Sequence, residues 1–478
     1  MHLHCLPRTT HYDPAEDPPG SVDPLGTVTG AEQLAEVLLP GLTARMWRVR
    51  LLTFAAVAAV VARRVAKGRD EQYLDARLAF ERLFVSAIAR QEMESEEWRP
   101  ASRRLPGIGL ASQALGSADQ PLRRPNFLKG QAVNGPFGVI SRLARDVGVI
   151  NEEGSLSGAS TDLLIAWSED QGLQGVLDDN AGREGANWIR KIEQKVALYN
   201  EDYRNWPKRH WPGWKELAKL LRPDIPGARE RVALRKLFSN DVLGIRDRVI
   251  SELPKPASLG VYQDPTQNKY RGGVEKAVLI KGLRTQNPQD EVARTLNSTI
   301  DLIDAYESTA GILESVFRGL LWGLTRHHGQ ASESDVVQDA QLQPFLVKFQ
   351  GKIASVAVRY RSSLDVFKLD TLAAKRDSVD IDRMNRLLEV ADAASESVGA
   401  CVNAVIDRHQ QVQKEKRKGH WVEFDKVWTL MPGFGDTAEE PPQYDGYLHP
   451  YRITNMYSML TDLAVIQKTG LVDDQESE

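Results

Sequence analysis

From residue 290 to 326 the chain sets Val292, Leu296, Ile300, Ile303, Tyr306, Ile312, Val316, Phe317 and Leu320 near a 3.6-residue period. That spacing predicts one helix of about ten turns, which must be covered along much of its length by other helices. Residues 380–416 repeat the pattern with Met384, Leu387, Leu388, Ala391, Ala394, Val398, Cys401, Val402 and Val405. Residues 343–377 supply a third helical stretch between them. Helices of this length predict an antiparallel bundle. Beyond it, His420-Trp-Val-Glu-Phe-Asp-Lys-Val-Trp428 alternates as a strand does, and an acidic, proline-rich loop leads to a last helix after His449-Pro450-Tyr451-Arg452. There is no internal repeat.

The N-terminal half reads differently. Residues 1–28, rich in Pro, Asp and Gly, predict a disordered or draped arm. Two helices follow in 31–64, split by Pro40-Gly41, and a third in 70–98. The apolar run 51–62 is bracketed by Arg48, Arg50, Arg63 and Arg64 and falls short of the roughly 20 residues a bilayer span needs, so it reads as a buried core helix. Residues 99–125 are broken by Pro100, Pro106, Gly107, Gly109, Gly116 and Pro121 and carry Arg99, Arg103, Arg104, Arg123 and Arg124, a basic and flexible approach to the segment that begins near residue 126. Helices are expected in 185–205 and 225–242. The Gly, Pro and Asn content of 254–273 marks a long loop and a domain boundary.

Residues 128–170 form the one segment whose local order can be decoded in full. Gly135-Pro136 opens a helix with proline at its first position, where the missing N–H costs nothing. Phe137, Ile140, Leu143, Ala144 and Val147 give it a buried stripe, and Gly148 stops it. Val149 and Ile150 start a short strand, Asn151-Glu152-Glu153-Gly154 turns, and a second helix ends near Trp167. The order resembles a winged helix-turn-helix. The expected fold is therefore mainly α: a multidomain helical protein with an embedded winged helix-turn-helix and a C-terminal long-helix bundle. Its expected parts are an arm (1–28), an N-terminal helical domain with a basic linker (29–125), a winged-helix-like domain (126–175), a mixed Trp-rich helical region (176–270), and the bundle with a short strand segment (271–478).

Composition bounds the chemistry. At 478 residues the chain exceeds one ordinary core, and its formal charge of −4 argues against a globally basic nucleic-acid coat without excluding a local basic face. Two cysteines, Cys5 and Cys401, permit neither a disulfide scaffold nor a cysteine-built zinc site, which fits a reducing cytoplasm. The polar, proline-rich N-terminus lacks the apolar core of an export signal. No Gly-x(4)-Gly-Lys-Ser/Thr loop, His-Glu-x-x-His, Gly-x-Ser-x-Gly or Rossmann glycine run occurs. No cofactor, metal or catalytic residue is assigned.

Two segments offer a nucleic-acid surface. Arg142 and Arg145 fall opposite the apolar stripe of their helix, where they could meet phosphates or base edges, with Arg123, Arg124 and Lys129 adding backbone contacts. Asp146, Glu152 and Glu153 weaken that field, and the module could instead join proteins to each other. Trp206, Trp211 and Trp214, interleaved with Arg204, Lys208, Arg209 and His210, could stack on unpaired bases or simply pack their segment down. Arg204 and His210 also stand in an Arg-x(5)-His spacing used by small helical ribonucleases, with two prolines between them arguing against the helix such a pair needs. Elsewhere the bland readings lead. The basic run Lys414–Lys418 closes a helix and complements its dipole, His327-His328 caps another, and His2, His4 and Cys5 lie on a terminus. Glu275-Lys276 and Asp365 with Lys368 lack the strand-rich frame of a metal-dependent nuclease.

Three stretches carry a resemblance: 26–61 (GTVTGAEQLAEVLLPGLTARMWRVRLLTFAAVAAVV), 128–167, and 449–463 (HPYRITNMYSMLTDL), together about a fifth of the chain. In them the chain resembles a loosely defined group of uncharacterised bacterial proteins encoded in phage-defence or restriction-type islands. The resemblance implies a cytoplasmic accessory protein that works with partner proteins of its own gene cluster, and no catalytic residue carries over from it. The leading expectation is a non-enzymatic subunit of an anti-phage defence system that binds or recruits double-stranded DNA. A protein-interaction scaffold without nucleic-acid contact and a helical ribonuclease or nuclease are the alternatives. No membrane partner is expected, and long helices allow a homo-oligomer without requiring one.

Overall fold

The structure, a computed structural model, describes residues 23–178, 182–241, 243–253, 280–284, 288–370, 379–443 and 447–466. Most of the expected arm, the 254–273 loop, His2, His4, Cys5 and Glu275-Lys276 lie outside the described residues. The chain is mainly helical. In chain order come α1 (Thr27–Leu38), α2 (Leu51–Ala66), α3 (Asp70–Glu94), α4 (Arg99–Ser102), α5 (Ile108–Ala118), α6 (Gln131–Asn134), α7 (Pro136–Asp146), α8 (Ser160–Asp170), α9 (Glu184–Glu201), α10 (Gly213–Leu220), α11 (Ala228–Ser239) and α12 (Ile245–Glu252). After the undescribed stretch follow α13 (Glu291–Arg326), β1 (Gln330–Ala331), α14 (Glu333–Val337), α15 (Leu342–Leu369), α16 (Ile381–Ala394), α17 (Val398–Lys416), β2 (Val422–Asp425), β3 (Val427–Leu430) and α18 (Ile453–Asp462).

These elements fall into two compact bodies, and both are assembled from segments distant in sequence. A mixed-helix body contains residues 39–259 and takes in α18 from the C-terminal end. Its centre is α2, apolar on every side and buried along its length except at Arg63 and Arg64, as a helix hydrophobic all round must be. Around it pack α3, α7, α8 and α9. Phe54 of α2 stacks on Phe84 of α3, with ring centres 4.3 Å apart. The last helix is held by Asn455, whose amide donates to the carbonyls of Ala44 and Met46, and by the buried ion pair of Asp462 with Arg48 at 2.9 Å. No helix among the described residues is long and apolar enough to cross a membrane.

The bundle body contains residues 1–38 and 260–451. Its axis is α13, with α1, α15 and α17 against it and α16 between α15 and α17. The long-period reading of 290–326 holds, but 380–416 is two helices rather than one. Ser397 ends the run: its hydroxyl accepts the N–H of Ala400 at 3.1 Å and starts α17 afresh. The single strand expected at 420–428 is likewise a hairpin. Lys426 takes a left-handed turn (φ 72°), so β2 and β3 pair antiparallel, with Phe424 opposite Trp428. β1 completes a sheet of order β1-β3-β2 through Gln330–Thr429 and Ala331–Trp428.

A third correction concerns 99–125. The segment is not a flexible approach but contains α5, which packs on α3 through Ala111, Ala114 and Leu115. A glycine inside a helix costs about 1 kcal/mol relative to alanine, and burial of the apolar face outweighs that here.

Candidate nucleic-acid interface

Helix α7, a one-bridge hairpin and α8 form the segment whose order the sequence makes readable. Phe137, Ile140, Leu143, Ala144 and Val147 are all buried, as the periodicity requires. The strand at Val149-Ile150 shrinks to one antiparallel bridge, Ile150 to Leu156. Tyr73 of α3 fixes the hairpin by donating its hydroxyl to the Gly154 carbonyl at 2.6 Å. Gly154 is left-handed (φ 79°), and a Cβ there would stand 2.8 Å from the Arg77 guanidinium, so no other residue fits without displacement.

The anchor of α7 is Glu81 on α3, which the periodicity alone does not single out. Its buried carboxylate accepts the N–H of Phe137 at 2.8 Å and the side-chain amide of Gln131 at 2.6 Å, meeting the open donors of the helix start. Gly135 permits this approach: a Cβ there would lie 2.0 Å from the carboxylate. Burial pushes Glu81 up to about 7, against those two hydrogen bonds. Its signal in the sequence is an acid at helical spacing from Phe84 and Ile88, on a face with no reason to hold one.

With the stripe buried, Arg142 is exposed on the opposite side of α7 and Arg145 is half-buried. Arg145 lies 3.6 Å from Glu152 of the hairpin, whose side chain is almost wholly exposed, a pairing that solvent screens heavily. Asp146, the acid nearest to both arginines in sequence, is bound at 2.8 Å by Arg246 of α12. That guanidinium is fully buried and also donates to the carbonyls of Pro40, Phe238 and Asn240. The Asp146 charge is thus matched by an inward contact. Arg77, beside the hairpin, loses basicity by burial, with Tyr73 and Glu81 opposing the loss and the positive charge of Arg145 adding least to it.

Arg124 and Lys129 are exposed on the turns before α6. Arg123, also exposed, lies over the ring of Tyr203, 4.9 Å from its centre. That contact brings together two segments that the sequence presents separately. Tyr199 reinforces it by donating its hydroxyl to the Leu122 carbonyl.

The tryptophans pack inward. Trp206 meets Tyr199 and Trp214, Trp214 meets Trp211 and lies under Arg90, and the Trp214 indole donates to the Lys208 carbonyl at 3.0 Å. What remains outside is the polar edge of the segment. Between it and the turn at Asp119 and Pro121 lies a shallow cleft of about 390 Å³. Arg204 lines this cleft but is held by Asp202 at 2.7 Å, a hydrogen bond that lowers the Asp202 pKa and raises that of Arg204. His210 is exposed on a turn and is not among the lining residues, and residues 206–212 form no helix.

In the bundle, Lys416 of the basic run donates to the carbonyl and carboxylate of Asp23, and His327 ends α13 with its ring 3.3 Å from Asp339. Asp365 and Lys368 pair on one exposed face of α15. Burial pushes the Cys401 thiol up to about 12, which suits packing and not nucleophilic attack. Among the described residues, no three His, Cys, Asp or Glu side chains stand together as a metal site requires. No family model, curated protein or solved structure matches this chain.

Proposed function

We propose that this protein is a non-enzymatic, cytoplasmic subunit that binds or recruits double-stranded DNA for a bacterial anti-phage defence system. The observation that carries the DNA contact is α7 itself. Its apolar stripe is buried, Arg142 stands exposed with Arg145 one turn on, and Asp146 is taken up by Arg246. Arg124 and Lys129 extend the basic character along the turns that precede it. Contacts of this kind fix position on the phosphate backbone, so affinity should fall steeply with salt. The defence setting rests on the resemblance of residues 26–61, 128–167 and 449–463.

The test is binding of the purified chain to a labelled non-specific duplex across a salt series. Arg142→Ala with Arg145→Ala should weaken binding about tenfold at low salt and reduce the salt slope by about two. Unchanged affinity and slope would remove these arginines from the interface.

A protein-interaction scaffold is the second reading. It is favoured by α15, where Val347, Val358 and Leu369 leave apolar side chains exposed near one line of the helix. A chain that ignores duplex DNA at low salt yet holds its gene-cluster partners would support it.

A further inference from the structure

We propose that the cleft between residues 119–121 and 203–209 binds one nucleotide of an unpaired nucleic-acid strand, its base stacked on Tyr203 and its phosphates met by Lys208 and Arg209. Three observations carry this assignment. First, the cleft, at about 390 Å³, lies within the range of roughly 300–1,000 Å³ usual for small-ligand sites. Second, its charge is one-sided. The Asp119 carboxylate is engaged by Arg90 and the Asp202 carboxylate by Arg204. Lys208 and Arg209 line the same cleft exposed, with no ion pair or side-chain hydrogen bond among the described residues. Third, it offers a ring. Tyr203 is 49% exposed although Arg123 lies over it, so nearly half of its surface is open to a partner. The buried indole N–H of Trp206, in the same wall, has no acceptor among the described residues.

An aromatic platform beside unneutralised cations is what recognition of unpaired strands uses, because every base presents a π-face and every link a phosphate. A duplex hides its base faces, so this site is distinct from the α7 surface and does not depend on it. Failure of duplex binding would leave it standing.

The experiment is fluorescence anisotropy of a 5′-labelled ten-nucleotide oligothymidylate at low salt. Tyr203→Ala should lose about tenfold in affinity, while Tyr203→Phe, which keeps the ring, should bind as the parent does. Lys208→Ala with Arg209→Ala should lose at least as much and flatten the salt dependence. Lys191→Ala, in the same body but outside both basic surfaces, should leave oligothymidylate binding within twofold. Thymidine monophosphate should compete better than inorganic phosphate, since phosphate alone gains no stacking. The proposal is overturned if the parent chain does not bind the oligonucleotide, if Tyr203→Ala binds as tightly as the parent, or if inorganic phosphate competes equally well. Every substituted position is at least partly exposed, and an unchanged circular-dichroism spectrum confirms that each variant folds.

Discussion

In the mixed-helix body, Arg50 lies 2.8 Å from Glu230 and Arg48 2.9 Å from Asp462, both pairs buried. The bundle also pairs the buried Asp23 with Lys416 at 3.2 Å, but it holds its buried glutamates otherwise. Glu307 accepts hydrogen bonds from the Tyr451 hydroxyl and the Leu448 N–H, and Glu314 accepts one from the Thr27 hydroxyl at 3.0 Å. These donors are neutral, so nothing in direct contact offsets the loss of hydration of the carboxylate. Burial therefore pushes both acids up to about 7, with Asp304 adding repulsion at Glu307 and Arg318 attracting Glu314 without cancelling the effect. One body thus balances buried charge with opposite charge. The bundle favours the protonated form at Glu307 and Glu314. Glu81 is the exception, an acid of the bundle's kind set in the mixed-helix body.

The sharpest way to break this comparison is to remove one partner of a paired charge. Arg50→Met leaves Glu230 buried with only the Thr53 hydroxyl and the Gly227 N–H as donors, and strips the Arg222 carbonyl of its donor, while the Leu220 carbonyl keeps the Trp167 indole. Loss of one partner from such a pair costs about 3–5 kcal/mol. Hydrogen exchange should accelerate accordingly at the amides of α2 and α11 and stay as in the parent across α13 and α15. Equal acceleration in both bodies, or none in either, would mean that the pair does not set the stability of its own body.

Titration of the bundle is the next largest effect. A carboxyl at about 7 in the folded chain and near 4.5 when unfolded holds a proton that unfolding releases between those values. Its stabilisation is complete below pH 4.5 and is lost as pH rises to 7. His409 works in the opposite sense. Its Nδ1–H donates to the Pro24 carbonyl and its Nε2 accepts the Trp421 N–H, a neutral bridge that burial enforces by pulling the ring down to about 4. Unfolded, it takes up a proton below 6.5, so its contribution is lost as pH falls from 6.5 to 4. Glu307→Gln should abolish on the order of 2 kcal/mol of the decline between pH 5 and 8. Urea unfolding at the two pH values would measure it. A parent chain whose bundle grows more stable from pH 5 to 8, with the variant unchanged in slope, would show that Glu307 is not held protonated.

These features differ in how far sequence reasoning reaches them. Helical periodicity located α3 and α13, and an unbroken apolar run located α2, because burial of one face, or of all faces, acts on residues a few positions apart. The break at Ser397 escaped because it uses neither glycine nor proline, only a hydroxyl aimed at the N–H of Ala400. Helix α5 was hidden by glycines that its packing on α3 overrides. The candidate surfaces divide the same way. Arg142 and Arg145 follow from spacing on one helix. Arg246 meets Asp146, and Arg123 meets Tyr203, across long stretches of intervening chain. Local rules rank such residues by type alone; only the folded chain says which of them meet.

The smallest effect separates burial from pairing as the cause of these differences. Each body carries an exposed ion pair of similar accessibility: Lys191 with Glu216 at 2.6 Å in the mixed-helix body, and Arg361 with Asp392 in the bundle. Side chains nearly half open to water keep most of their hydration when apart, and ordering them costs conformational entropy, so exposed pairs contribute about 0–1 kcal/mol. Lys191→Ala and Arg361→Ala should each shift local stability by less than about 1 kcal/mol, with the shift shrinking further at high salt. A loss at Lys191→Ala comparable to that at Arg50→Met would mean that the mixed-helix body depends on ion pairing as such. Equally small losses in both bodies would place the distinction where the geometry does, in whether a desolvated carboxylate has a cation beside it.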